Sequence, residues 1–142
     1  LESEKPIRTF EFKEDDKDLL KDIYLLTNKP IIYVANVSEN QIETQENDPY
    51  VLKVKEYAKK ENAKVIVLCA KLEEDLSELE DEDRVALMQD YGINESGLDK
   101  LIKTSYSILG LISYLTAGKQ EVRAWTIKKG TKAPQAARKN PL

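Results

Sequence analysis

Two short stretches of this chain carry the residue types from which a site for a small polar ligand can be built. One is Asn36-Val37-Ser38-Glu39, closing the run "IIYVANVSEN"; the other is Cys69-Ala70-Lys71, closing "KVIVLCAK". Each comes after a run of apolar, largely β-branched residues that reads as a buried strand. In an open parallel sheet the carboxyl ends of neighbouring strands form the crevice where ligands bind, so an amide, a hydroxyl, a carboxylate and an ammonium group converge there. A heterocyclic base with mixed donors and acceptors suits such a set. An ordinary structural account fits the same residues: Ser38 and Gln41 make an S-x-x-Q capping box, Asn often ends a strand, Lys71 is a solvated lysine and Cys69 a small buried hydrophobe. On residue type alone the ordinary account is the better one.

Composition narrows the chemistry further. The 142 residues include no histidine, which removes Ser-His and Cys-His nucleophilic pairs, histidine bases and histidine metal ligands together. A single cysteine, Cys69, excludes an internal disulfide framework. No apolar run reaches the length of a membrane span, so a reducing, cytoplasmic setting without a membrane partner is expected. Charged residues make up 34% of the chain, yet the formal net charge is only -4, so neither a basic nucleic-acid footprint nor an acidic tail dominates. With 41% hydrophobic content the chain can bury one ordinary core, or a core with a piece of another domain attached.

The elements that must position the two stretches can be read from periodicity. "IRTFEF" alternates weakly, as a strand or extended connector does, and a helix is expected from Asp15 with Leu19, Leu20, Ile23 and Leu26 on one face until Pro30 stops it. "IIYVAN" then reads as a central strand covered on both faces. Asn47 or Asp48 should cap a surface helix with Pro49 at its first position and Val51, Val54 and Ala58 along its apolar stripe. "KVIVLCAK" repeats the strand pattern, giving a parallel pair with a crossover helix. The acidic stretch "LEEDLSELEDEDRVALMQDYGI" predicts one or two short helices whose carboxylates are a solvated face with no catalytic role. Ser96, three residues before Asp99, opens a further helix whose Leu98, Leu101, Ile102, Ser105 and Leu109 should pack on the sheet.

Beyond Gly110 the texture changes to two β-rich runs around Gly118. Leu111 to Thr116 and Val122 to Lys128 should pair antiparallel, with Trp125 shielded on one face and Arg123 opposite or at the edge. Arg123, Lys128, Lys129 and Lys132 form a local basic patch. A domain boundary is therefore expected near Gly110, and the closing "ARKNPL" has no periodicity.

The two strand-end stretches resemble the base-reading motifs of P-loop GTPases, normally Asn-Lys-x-Asp after one strand and Ser-Ala-Lys after the next. Together with "KPIIYVANVSE" and the later "TAGKQEVRAWTIKKGTKAPQAA", they make the chain similar to the YchF or Obg-like ATPase family as far as Ala137. The resemblance implies an α/β fold. Residues 1–110 would be the carboxyl part of a doubly wound, P-loop-type nucleotide-binding domain, following a coiled-coil insertion, and residues 111–142 the incomplete start of a β-grasp (TGS) domain. It implies ATP, with GTP as an alternative, as the ligand hydrolysed, contacted here by Asn36, Val37, Glu39, Cys69, Ala70 and Lys71. No G-x-x-x-x-G-K-[ST] loop is present, so the catalytic residues and the ligands of Mg2+ are expected outside this chain.

Departures from the GTPase pattern fall on the two residues that would read the base. Asp in that motif accepts from guanine's ring N–H and exocyclic amine, whereas adenine presents a ring acceptor that a carboxylate repels. Here the acid is Glu39, one methylene longer, and the covering Lys has become Val37. The resemblance then implies that adenine is accepted, with the backbone at Val37 contacting it and Asn36 bracing the loop. Two other readings stay open: a non-enzymatic module that docks on ribosome or RNA through the TGS hairpin, and a scaffold for a protein partner.

Overall fold

The computed structural model describes residues 5–13, 16, 19, 20, 22–119 and 121–137. They divide into two compact units, residues 1–101 and 102–142.

The first unit is built on two strands, β1 (Ile32–Asn36) and β2 (Lys64–Leu68), paired in parallel with Ile32 opposite Lys64 and Asn36 opposite Leu68. Parallel neighbours need a crossover, and helix α1 (Pro49–Lys60) supplies it. Of the two expected caps, Asp48 performs the role: its Oδ1 accepts from the backbone N–H of Tyr50 at 2.8 Å and of Val51 at 3.0 Å. Pro49 fills the first turn, where no N–H is missed, and Val51 and Ala58 are buried. The acidic stretch forms two helices, α2 (Ala70–Glu78) and α3 (Asp81–Asp90). Leu72 and Leu76, four apart on one face of α2, close a core with Ile42 and Cys69, against which Val37, Leu87, Met88, Tyr91 and Ile93 pack. Helix α4 (Gly97–Ile108) begins with the Ser96 hydroxyl accepting from Asp99 N at 3.1 Å.

At the opposite end of the strands from the candidate site, Arg8 ties the amino-terminal segment to the sheet. Its Nη2 meets Glu61 Oε2 at 2.8 Å, and Tyr33 Oη donates to the same oxygen at 2.9 Å. The Tyr33 and Tyr57 rings stack edge to face at 5.9 Å. The Arg8 hydrogen bond, then that from Tyr33, holds the Glu61 carboxyl below its ordinary range, with burial opposing. Burial pushes the Tyr33 hydroxyl up, and the acceptor Glu61 adds to the effect.

Several expectations need correction. β1 is not covered on both faces, since Val34 is 46% exposed; an apolar run states that cover is wanted, and among the described residues α1 is the helix that packs on both strands. Ile7–Thr9 is a 3-10 turn instead of a strand. The helix expected from Asp15 falls partly outside the described residues. Of its apolar stripe, Leu19, Ile23 and Leu26 are exposed, Leu26 lying in a separate 3-10 turn, Leu26–Asn28. At the start of α4, Leu98 is 53% exposed, so this position of the stripe is not sealed on the sheet. The close approach is made instead by Gly97, where a Cβ would stand 2.5 Å from Leu68 Cβ.

The second unit holds a hairpin of β3 (Leu111–Ala117) and β4 (Val122–Lys128), antiparallel with Tyr114 opposite Trp125. Gly118 N donates to Glu121 O at 2.9 Å across the turn. Short helix α5 (Ala133–Ala137) comes next, and Ile127 and Ala136 are buried. Arg123 does not lie opposite Trp125. Positions two apart on a strand share a face, and the Arg123 guanidinium sits over the indole, 4.3 Å from the ring centroid. The indole N–H donates to Thr116 Oγ1 at 2.9 Å.

Candidate functional site at the carboxyl ends of the parallel strands

The parallel register brings the two stretches together: Asn36 and Leu68 are partners, so the chain leaves both strands side by side. Val37 N extends the pairing by donating to Leu68 O at 2.9 Å. Asn36 Oδ1 accepts from Ala70 N at 3.0 Å, fastening the end of β1 to the first residue of α2. An open pocket of about 280 Å³ lies here, lined by Asn36, Val37, Ser38, Glu39, Asn40, Cys69 and Lys71. Of the six expected residues, five line it. Ala70 does not, and its N–H is taken by Asn36.

The turn that presents Glu39 is fixed from both sides. Gln41 Oε1 accepts from Ser38 N at 3.0 Å and from Ser38 Oγ at 2.9 Å, so the serine–glutamine pair reads as a structural device, as its spacing predicts. Gln41 Nε2 in turn donates to Asp48 Oδ2 at 3.0 Å, which links this turn to the cap of α1. Val37 is partly buried against the core, leaving its backbone as the polar part at that position. Lys71 Nζ meets Glu39 Oε1 at 2.9 Å. Hydrogen bonding to Glu39 pushes the Lys71 ammonium above its ordinary value, with burial opposing weakly. Cys69 is 5% exposed and belongs to the core as well as to the pocket wall.

Sequence reasoning missed two residues. Asn40 lines the pocket. Glu73 receives the backbone N–H groups of Gly97 at 2.6 Å and Leu98 at 3.1 Å, so one carboxylate of the acidic stretch, carried by α2, caps α4. Nothing in a run so rich in acids distinguishes Glu73; the only signal is the glycine after Ser96, which marks a close approach. A larger cavity of about 550 Å³, lined by Ile102, Lys103, Tyr106, Ser107, Leu111 and Lys129 among others, lies within the second unit. Among the described residues no group of three or more Cys, Asp or Glu could hold a metal ion. The site brings an amide, a hydroxyl, a thiol and a carboxylate–ammonium pair around an open slot.

The chain is 57% identical over 137 residues to "Ribosome-binding ATPase YchF" of Bacillus subtilis (strain 168), covering 96% of this chain and 37% of that protein. The chain is similar to the YchF family. A YchF relative in Escherichia coli O157:H7, with the same name, is 43% identical over 139 residues, covering 98% of this chain and 38% of its own. The solved "Structure of the Schizosaccharomyces pombe YchF GTPase" matches with a TM-score of 0.82 at 36% identity, over 96% of this chain and 36% of that one. The family model YchF-GTPase_C, described as "Protein of unknown function (DUF933)", matches residues 111–139. The chain thus spans little more than a third of the length of these YchF relatives.

Proposed function

We propose that this segment supplies the base-binding edge of a YchF-type nucleoside triphosphatase that takes ATP, with GTP as a weaker alternative. The observation that carries the proposal is the pocket at the ends of β1 and β2, where the Asn36–Asn40 and Cys69–Lys71 stretches face each other. Adenine fits it chemically: its amine needs an acceptor, which a backbone carbonyl beside Val37 offers, and no uncompensated carboxylate confronts its ring nitrogen. The names of the relatives, two of them ATPases and one a GTPase, agree with a purine nucleotide. Phosphate contacts, Mg2+ ligands and the groups that orient the attacking water belong to other parts of such a protein, and no catalytic step is assigned to these residues. In this reading β1 and β2 are part of a doubly wound sheet, the nucleotide domain ends near Gly110, a TGS-type domain starts at Leu111, and the protein works in the cytoplasm. Titrating the full-length protein with ATP and GTP tests it: ATP should bind at least as tightly as GTP, and strong GTP binding with no response to ATP would falsify it.

The hairpin favours a second role alongside the first. Arg123 over Trp125, with Lys128, Lys129 and Lys132 close in sequence, presents cation and aromatic surface of the kind that meets RNA, and the bacterial relatives are named ribosome-binding. Ribosome co-sedimentation of the full-length protein should weaken on Lys128→Glu/Lys129→Glu and fall steeply with salt. Unchanged co-sedimentation would exclude this surface.

A further inference from the structure

Glu39 and Lys71 stand on opposite sides of the pocket, one on the turn after β1 and the other in the first turn of α2, and their side chains meet at 2.9 Å. Both ends are held independently. Ser38, Gln41 and Asp48 fix the Glu39 turn, and Asn36 fixes the backbone of Ala70 beside Lys71. The contact therefore closes between two pre-set positions. Glu39 is 30% exposed and Lys71 71% exposed, so the carboxylate is the member drawn toward the slot and the ammonium the member that solvent can pull away.

A carboxylate bound to an ammonium has its charge compensated and part of its acceptor capacity used. Guanine offers adjacent ring N–H and amine donors, so it gains from a free carboxylate at this edge; adenine, with a ring acceptor there, is repelled by one. A compensated carboxylate does neither. An aspartate at 39 would be shorter by one carbon–carbon bond of about 1.5 Å, so glutamate extends the carboxylate toward Lys71.

We propose that the Glu39–Lys71 ion pair sets purine choice at this pocket, Lys71 acting as the specificity-determining residue by holding the Glu39 carboxylate away from guanine. The inference rests on the pocket being a purine site. It makes Lys71 a restraint on an acid.

Equilibrium binding of ATP and GTP to the full-length protein and three variants tests it, read as the ratio of the two dissociation constants. The ratio cancels any stacking that either base loses with the lysine chain. Lys71→Met frees Glu39 and should improve GTP relative to ATP by about tenfold, the scale of one charge-assisted hydrogen bond regained. Lys71→Arg keeps the pair and should keep the wild-type ratio. Lys71→Met/Glu39→Gln removes the freed charge and should return the ratio to that of the wild type. A Lys71→Met variant whose ATP and GTP affinities move together would overturn the restraint while leaving the base site in place. A wild type that binds neither nucleotide would remove the base site, and this inference with it.

Discussion

At the scale of single residues, the proposed base site departs from the guanine-reading motif at positions 37 and 39. Val37→Lys together with Glu39→Asp restores a covering ammonium and a shorter acid, and should move the full-length protein toward GTP by about tenfold or more; competition between the two nucleotides measures it, and an unchanged order would show that neither residue reads the base. Glu61 offers a separate test by pH. Its carboxyl is held low chiefly by the Arg8 hydrogen bond, so the stabilisation is present above the ordinary carboxylate value and is lost as pH falls through the lowered one. Glu61→Gln should therefore melt below the wild type at neutral pH, and the two melting temperatures should converge in acid. Parallel curves across the range would mean that Arg8 contributes nothing through Glu61. The residues facing the pocket were legible in the sequence because their spacing after two strands is a pattern along the chain. Their mutual pairing was not: Glu39 with Lys71 and Glu73 with Gly97 are contacts across 32 and 24 positions, and periodicity carries no record of them.

Among the elements, α2 does most to join recognition to core. Its first turn carries Ala70 and Lys71, its inner face carries Leu72 and Leu76, and Glu73 caps α4. Gly97 is the point where this assembly has no spare room. Gly97→Ala places a methyl against Leu68 at a fixed backbone position and should cost about 1–3 kcal/mol, read by chemical denaturation with an unchanged m-value. A neutral result would show that α4 shifts freely along β2. Glu73→Ala should cost about 1 kcal/mol through the lost cap. From Pro30 onward, strand, helix and hairpin order were readable in advance because β-branched runs, proline stops and capping residues act locally. The faces they bury were not. Val34 on β1 and Leu98 on α4 obey the right periods yet stand half open, because a stripe specifies a demand for cover without specifying what provides it.

Across the whole molecule the two units differ in how much they bury. Residues 1–101 contain the Ile42, Cys69, Leu72, Leu76 core together with Val51, Ala58 and Ile66, whereas among the described residues of 102–142 only Ile127 and Ala136 are apolar and fully buried. Backbone amides of β2 and α1 should accordingly exchange with solvent more slowly than those of β4. Hydrogen exchange resolved by residue checks this, and slower exchange over Val122–Lys128 that strengthens with protein concentration would mean that copies of the chain cover one another's hairpins. The division also governs what light can report. Trp125 is the only tryptophan among 142 residues, and it is stacked under a guanidinium and bonded to Thr116 within the hairpin. Its emission, excited so as to spare the seven tyrosines, is a built-in beacon for the second unit. A fluorescence melt of this chain tracks the hairpin, while the pocket at Asn36 and Lys71, with no tryptophan in its lining, stays in the dark.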